Sequence, residues 1–157
     1  MELSRAEYAS LYGPTVGDRV RLGDTDLLVT VEADDTALGH EPLVGFGKTI
    51  RDGQLSSGSR PLGEAMDGVI TNVVLLDPVL GVRKTCIGLR DGRIAAVGRA
   101  GNPDRDPSVT VPISAATGIY PAEGLIATPG ACSPKTRFTA HVSARSLYGV
   151  PVPCALM

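Results

Sequence analysis

Val69-Ile70-Thr71-Asn72-Val73-Val74-Leu75-Leu76-Asp77-Pro78 opens the part of the chain that decides the fold, and Ile87-Gly88-Leu89-Arg90-Asp91-Gly92-Arg93-Ile94-Ala95-Ala96-Val97-Gly98 completes it. The first run is apolar except at Thr71 and Asn72, which predicts a strand. Asp77-Pro78 marks a turn. A second strand runs to Leu89, with Ile87 and Leu89 on one face. Asp91-Gly92 is the pair favoured in type I′ hairpins, because both positions tolerate positive φ. Ile94 to Val97 is the return strand, and Gly101-Asn102-Pro103 closes the unit.

Towards the N-terminus, Ser4 and Glu7 have the spacing of a capping box, in which each side chain satisfies a free N–H at a helix start. Tyr8, Leu11 and Tyr12 follow on one face. Gly13 can take a left-handed conformation and Pro14 stops the helix after about two turns. Val20 and Leu22 alternate with Arg19 and Arg21, as in a half-buried strand. Leu27 to Val31 is a β-branched run bounded by Asp26 and Glu32. Asp34 to Pro42 reads as a loop. Gly45 to Gly68 is rich in glycine and serine and reads as a flexible segment without a packed core. Val109 to Ile113 and Gly118 to Tyr120 are further short strands. The expected fold is mainly β: small twisted antiparallel sheets, folded as a sandwich or open barrel, with a short N-terminal helix. The 19 glycines and 12 prolines supply the turns such a fold needs.

A chain of 157 residues is too short for a (β/α)8 barrel, which takes roughly 250 residues. The apolar fraction of 43% and charged fraction of 20% indicate a globular chain. The 15 Lys and Arg are scattered against 17 Asp and Glu, so nucleic acid is not an expected partner. No apolar stretch reaches the length of a membrane span, and no secretory signal is visible, which leaves the cytoplasm as the expected location. Cys86, Cys132 and Cys154 form no CxxC motif, so neither a disulfide framework nor a zinc site is expected. Cys86 falls in a strand and reads as a buried thiol.

Residues 131–157 differ in kind. They contain no Asp or Glu, although all 17 acids precede them, and they hold two of the three cysteines and Pro134, Pro151 and Pro153. This stretch is read as a poorly ordered tail to a domain of residues 1–130. Candidate sites elsewhere reduce to bland readings. Gly45-Phe46-Gly47-Lys48-Thr49 lacks the spacing of a phosphate loop. Asp34, Asp35, Asp104 and Asp106 read as solvated turn carboxylates. His40 and His141 are the chain's two histidines, so no Ser-His-Asp arrangement is available. His40 is expected to face solvent.

Two stretches resemble a known family. One is Tyr12-Gly13-Pro14-Thr15-Val16-Gly17-Asp18-Arg19-Val20-Arg21-Leu22 with Asp24-Thr25-Asp26-Leu27, supported by Gly47-Lys48-Thr49-Ile50-Arg51-Asp52-Gly53. The other runs from Val69 through Asp91-Gly92-Arg93-Ile94 to Ala100-Gly101-Asn102-Pro103-Asp104. The second alone recurs across the amidohydrolase superfamily. Together, in order and spacing, they resemble the N-terminal domain of urease alpha subunits over residues 1–130. That resemblance implies a β-rich domain flanking a catalytic barrel, which holds two nickel ions bridged by a carbamylated lysine. The metals polarise the urea carbonyl and activate the attacking water. The family's first barrel strand follows Ala127-Thr128-Pro129-Gly130 and carries an H-x-H pair. On that spacing the two histidines fall on Lys135 and Arg137, which are poor metal ligands. Phe46 also replaces an expected glycine, and Gln54 to Ala65 departs from the family's continuation.

The main expectation is therefore a truncated urease alpha-type chain with no catalytic, cofactor or metal residues of its own, inactive alone. Composition and match change together at Ala131, as a shifted reading frame would produce. The alternative is a non-catalytic interaction module that binds urease beta and gamma subunits or a full-length alpha paralogue. A domain of another amidohydrolase relative, with its barrel on a separate chain, is disfavoured by Tyr12 to Leu27.

Overall fold

The computed structural model describes residues 2–36, 39–44, 50, 53–58 and 64–129. The tail of residues 131–157, with Cys132, Lys135, Arg137, His141 and Cys154, lies outside them, as does Gly45 to Thr49.

One helix, α1 (Arg5–Tyr12), is followed among the described residues by ten strands. These are β1 (Arg19–Arg21), β2 (Leu28–Thr30), β3 (Ala33–Asp34), β4 (Gly68–Asp77), β5 (Gly81–Arg90), β6 (Arg93–Gly98), β7 (Ala100–Gly101), β8 (Val111–Pro112), β9 (Gly118–Pro121) and β10 (Ile126–Ala127). The protein is mainly β with one short helix, as its sequence predicts. The main sheet runs β10–β4–β5–β3 in hydrogen-bonding order, with β9 also on β4 and β6 also on β5.

The chain divides into two compact units, one of Met1–Asp34, Val73–Lys84 and Glu123–Met157, the other of Asp35–Asn72 and Thr85–Ala122. In the first, β1 and β2 form an antiparallel ribbon in which Val20 faces Val29. Here β3 pairs with β5, and β10 with β4, both parallel. In the second, β6 pairs antiparallel with β5, β9 parallel with β4, and β7 parallel with β8. Sequence reading predicts antiparallel sheets. That holds for the local ribbons, where a short turn can reverse the chain. Three of the four parallel pairings, β3 with β5, β10 with β4 and β9 with β4, come from segments that return from far along the chain, which no local turn signal announces.

Helix α1 has the capping box read from sequence: the Ser4 side chain accepts from the Glu7 amide and the Glu7 carboxylate accepts from the Ser4 amide at 2.8 Å. The side-chain and backbone bonds from Ser4 hold the Glu7 carboxyl below its usual range. Gly13 ends the helix with φ 83° and ψ 164°. It uses glycine's freedom at positive φ without entering the left-handed helical region expected of it. Asp91 and Gly92 both have positive φ (52° and 69°), as a type I′ turn requires. Asp77 closes the β4–β5 turn by accepting from the Val79 and Leu80 amides, each at 2.8 Å.

Residues 68–75 of β4 are all buried, the expected fate of a continuous apolar run. The core of the second unit gathers Ile50, Leu55, Met66, Val69, Cys86, Ala100, Val111 and Ile113. Cys86 is a buried thiol, as read from sequence. Ile50, Leu55 and Met66 come from the stretch predicted to lack a packed core, and Ser57, within it, is buried and bridges to Ser114. For the described residues that expectation is corrected: Ile50, Leu55 and Met66 enter the buried core.

Two polar residues interrupt β4. Asn72 is buried at φ 55° and donates from Nδ2 to the Pro42 carbonyl at 3.0 Å. Asparagine tolerates positive φ better than most residues. Thr71 is fully buried, and its hydroxyl has no hydrogen-bond partner among the described residues. A buried hydroxyl without a partner costs about 1–3 kcal/mol. Replacing Thr71 with the nearly isosteric valine is therefore expected to stabilise the chain by about 1 kcal/mol. An unchanged or lower denaturation midpoint for Thr71→Val would show that the hydroxyl is satisfied.

Candidate functional site

The densest polar cluster among the described residues lies in the first unit. Lys84, on β5, has a fully buried side chain, 0% exposed. Its ammonium lies 3.7 Å from the Asp34 carboxylate on β3, whose side chain is 9% exposed. It also donates to the Tyr8 hydroxyl on α1 at 3.2 Å. Thr15 donates to the same Asp34 carboxylate at 2.7 Å. Nearby, Arg5 pairs with Asp18 and also reaches the Val16 carbonyl. Burial pushes the Asp18 carboxyl up, but the Thr15 amide, the Arg5 guanidinium and the Lys84 charge outweigh it and hold it low. The parallel register that sets Asp34 opposite Lys84 builds the pair. Asp34, predicted as a solvated turn carboxylate, is corrected to a strand residue in a largely buried ion pair.

The second unit carries a smaller network. Ser57 donates to Asp104, which is exposed, at 3.2 Å. Asp106 accepts from the Ser108 hydroxyl at 2.6 Å and amide at 2.9 Å, and pairs with Arg99 at 2.8 Å. The Ser108 bonds, then the Arg99 and His40 charges, lower the Asp106 carboxyl. These contacts fasten the loop: Asp104 is exposed, as expected of a solvated turn carboxylate, whereas Asp106 is half-buried and ion-paired. His40 is exposed, as expected. A recess of about 520 Å³ is lined by Ile50, Ile119, Ser56, Ser114 and Thr117 among others. The described lining has hydroxyls but no ionisable side chain, so it presents no acid, base or metal ligand.

The carboxylates with lowered pKa set an acid dependence. Glu7, Asp18, Asp77 and Asp106 all titrate below their ordinary values in the folded state. A depressed folded pKa contributes stability that is present above the unfolded value and lost as pH falls through the folded one. Asp77→Asn removes one such group, bound by the Leu80 and Val79 amides. The variant's thermal midpoint is expected to fall less than the parent's between pH 6 and about pH 3. An equal or larger fall would contradict this assignment.

The family described as urease alpha-subunit, N-terminal domain, matches residues 1–120. This chain belongs to that family. A urease subunit alpha from Natronomonas pharaonis is 52% identical over 131 residues, covering 82% of this chain and 23% of the relative. The chain thus spans about a quarter of the length of that curated urease alpha subunit.

Family membership raises the question of nickel. Among the described residues, no group of three or more His, Cys, Asp or Glu side chains is placed to hold a metal ion. The described donors therefore do not fit a two-nickel centre. The sequence does not announce the Lys84 cluster, because a lysine inside a strand carries no pattern that names a buried partner. No helix among the described residues is long and apolar enough to cross a membrane.

Proposed function

We propose that this chain provides the N-terminal scaffold of a urease alpha subunit, and that residues 1–157 do not hydrolyse urea by themselves. Residues 1–130 form the family domain in this reading, and residues 131–157 stand apart from it. In the family's whole protein, urea is hydrolysed to ammonia and carbamate at a dinuclear nickel site. The scaffold serves that reaction by carrying the catalytic part and by meeting the beta and gamma subunits in the cytoplasm. The observation that carries this reading is one of sequence. Similarity to a urease alpha subunit covers 82% of the chain, and on the spacing that the family resemblance implies the nickel-binding histidines would fall on Lys135 and Arg137. Lysine and arginine are cations at neutral pH and repel a second cation. The test is ammonia release by purified residues 1–157 supplied with nickel and bicarbonate. No urea-dependent ammonia is expected, and sustained turnover would overturn the proposal.

A second reading, a non-catalytic module that binds urease subunits or a full-length alpha paralogue, is favoured by exposed apolar side chains. Leu3, Leu11, Leu27 and Leu28 are 48–65% exposed in the first unit, apolar surface that a binding partner would cover. Co-purification with urease subunits supports it, and a monodisperse chain that binds none of them counts against it.

A further inference from the structure

We infer that residues 2–14 form a reversible arm on the first unit, hinged at Gly13-Pro14, and that the buried Lys84 ammonium keeps its latch weak. This goes beyond the scaffold reading and does not depend on it. Helix α1 has eight residues and none is fully buried. A helix this short is marginal alone, so its order depends on what holds it in place. Beyond the hinge the chain is fixed. The Gly17 amide donates to the Val31 carbonyl at 2.8 Å, and the Val31 amide donates to the Asp18 carbonyl at 2.9 Å. Before the hinge, α1 reaches β5 through the Lys84–Tyr8 hydrogen bond and reaches the following loop through Arg5.

Lys84 makes this contact ambivalent. Tyr8 covers its ammonium, with the nitrogen 5.0 Å from the ring centroid. Docking the arm gives Lys84 a hydrogen bond and also takes its charge out of water. The desolvation cost of a buried charge can match or exceed what its partners return. Releasing the arm rehydrates Lys84 while leaving Asp34 beside it. The arm therefore opens at a lower free energy than the buried β4 strand, as locally unfolding segments do. When it opens, Leu3 and Leu11, already 48% and 55% exposed, leave with it.

Two variants have opposite expected signs. Tyr8→Phe removes the hydrogen bond but leaves the charge to be buried. Lys84→Met with Asp34→Asn removes the charge and keeps an oxygen to accept from Thr15. Hydrogen exchange of the full chain reads both. In the parent, amides from Tyr8 to Gly13 are expected to be protected yet to exchange well ahead of those in β4. Tyr8→Phe speeds exchange in α1 about tenfold, the worth of one charge-assisted hydrogen bond, and leaves β4 unchanged. The double variant slows exchange in α1. Parent α1 amides that exchange in step with β4, or with no protection, overturn the inference. So does faster α1 exchange in the double variant. If the double variant does not fold, Tyr8→Phe decides: α1 alone moving supports the arm, and α1 and β4 moving together refutes it.

Discussion

Truncating Ile113 to alanine is expected to lower the unfolding free energy by about 3 kcal/mol, enough to threaten the fold of a small domain. Ile113 is fully buried in the cluster formed with Leu55, Met66, Val69 and Val111. The change removes its side chain beyond Cβ and leaves a cavity whose walls are already committed to other contacts. The Ile113 amide still donates to the Gly101 carbonyl, so the effect reports packing. Chemical denaturation followed by far-ultraviolet circular dichroism measures it, since the chain has no tryptophan. The midpoint should fall with the slope unchanged. Ile113→Val should cost about 1 kcal/mol. Ile94→Ala, at a position 54% exposed, should cost less than about 0.5 kcal/mol. Similar losses at Ile113 and Ile94 would mean that the buried cluster does not hold the second unit together.

The other large effect is at Asp34. Asp34→Ala leaves the Lys84 ammonium without its carboxylate; breaking one side of a buried pair costs up to about 3–5 kcal/mol, and release of α1, which rehydrates the charge, caps the loss. Removing both charges, in Lys84→Met with Asp34→Asn, should cost far less and can be neutral. The contrast is the prediction: the single change is worse than the double. The same denaturation experiment reads it. A double variant as damaged as the single would show that the pair contributes net stability and is not merely compensated.

Much of this architecture is legible in the sequence, for local reasons. The β4, β5 and β6 strands announce themselves by an apolar run and by an Asp91-Gly92 pair that favours a tight turn locally. The α1 start is legible because a capping box involves Ser4 and Glu7 alone. What escapes notice is non-local. Strands β3 and β10 are two residues long, and each exists only because a distant strand offers its edge. Ile50 and Leu55 look like loop residues until the core they enter is known. Lys84 and Asp34 look like ordinary surface charges because nothing near either one encodes the other. The candidate site follows the same rule. The expectation for Lys135 and Arg137 can be stated from spacing alone, because it rests on a short motif that the family resemblance implies. The polar cluster around Lys84 cannot, because it is assembled by the fold.

The central claim is that residues 1–157 carry the family's scaffold without its metal centre. Nickel content tests it most directly: the purified chain is equilibrated with nickel and bicarbonate, dialysed, and its bound metal counted per chain. The account predicts no stoichiometric nickel. Two ions retained per chain would contradict it and would place ligands among residues that sequence reading rejected.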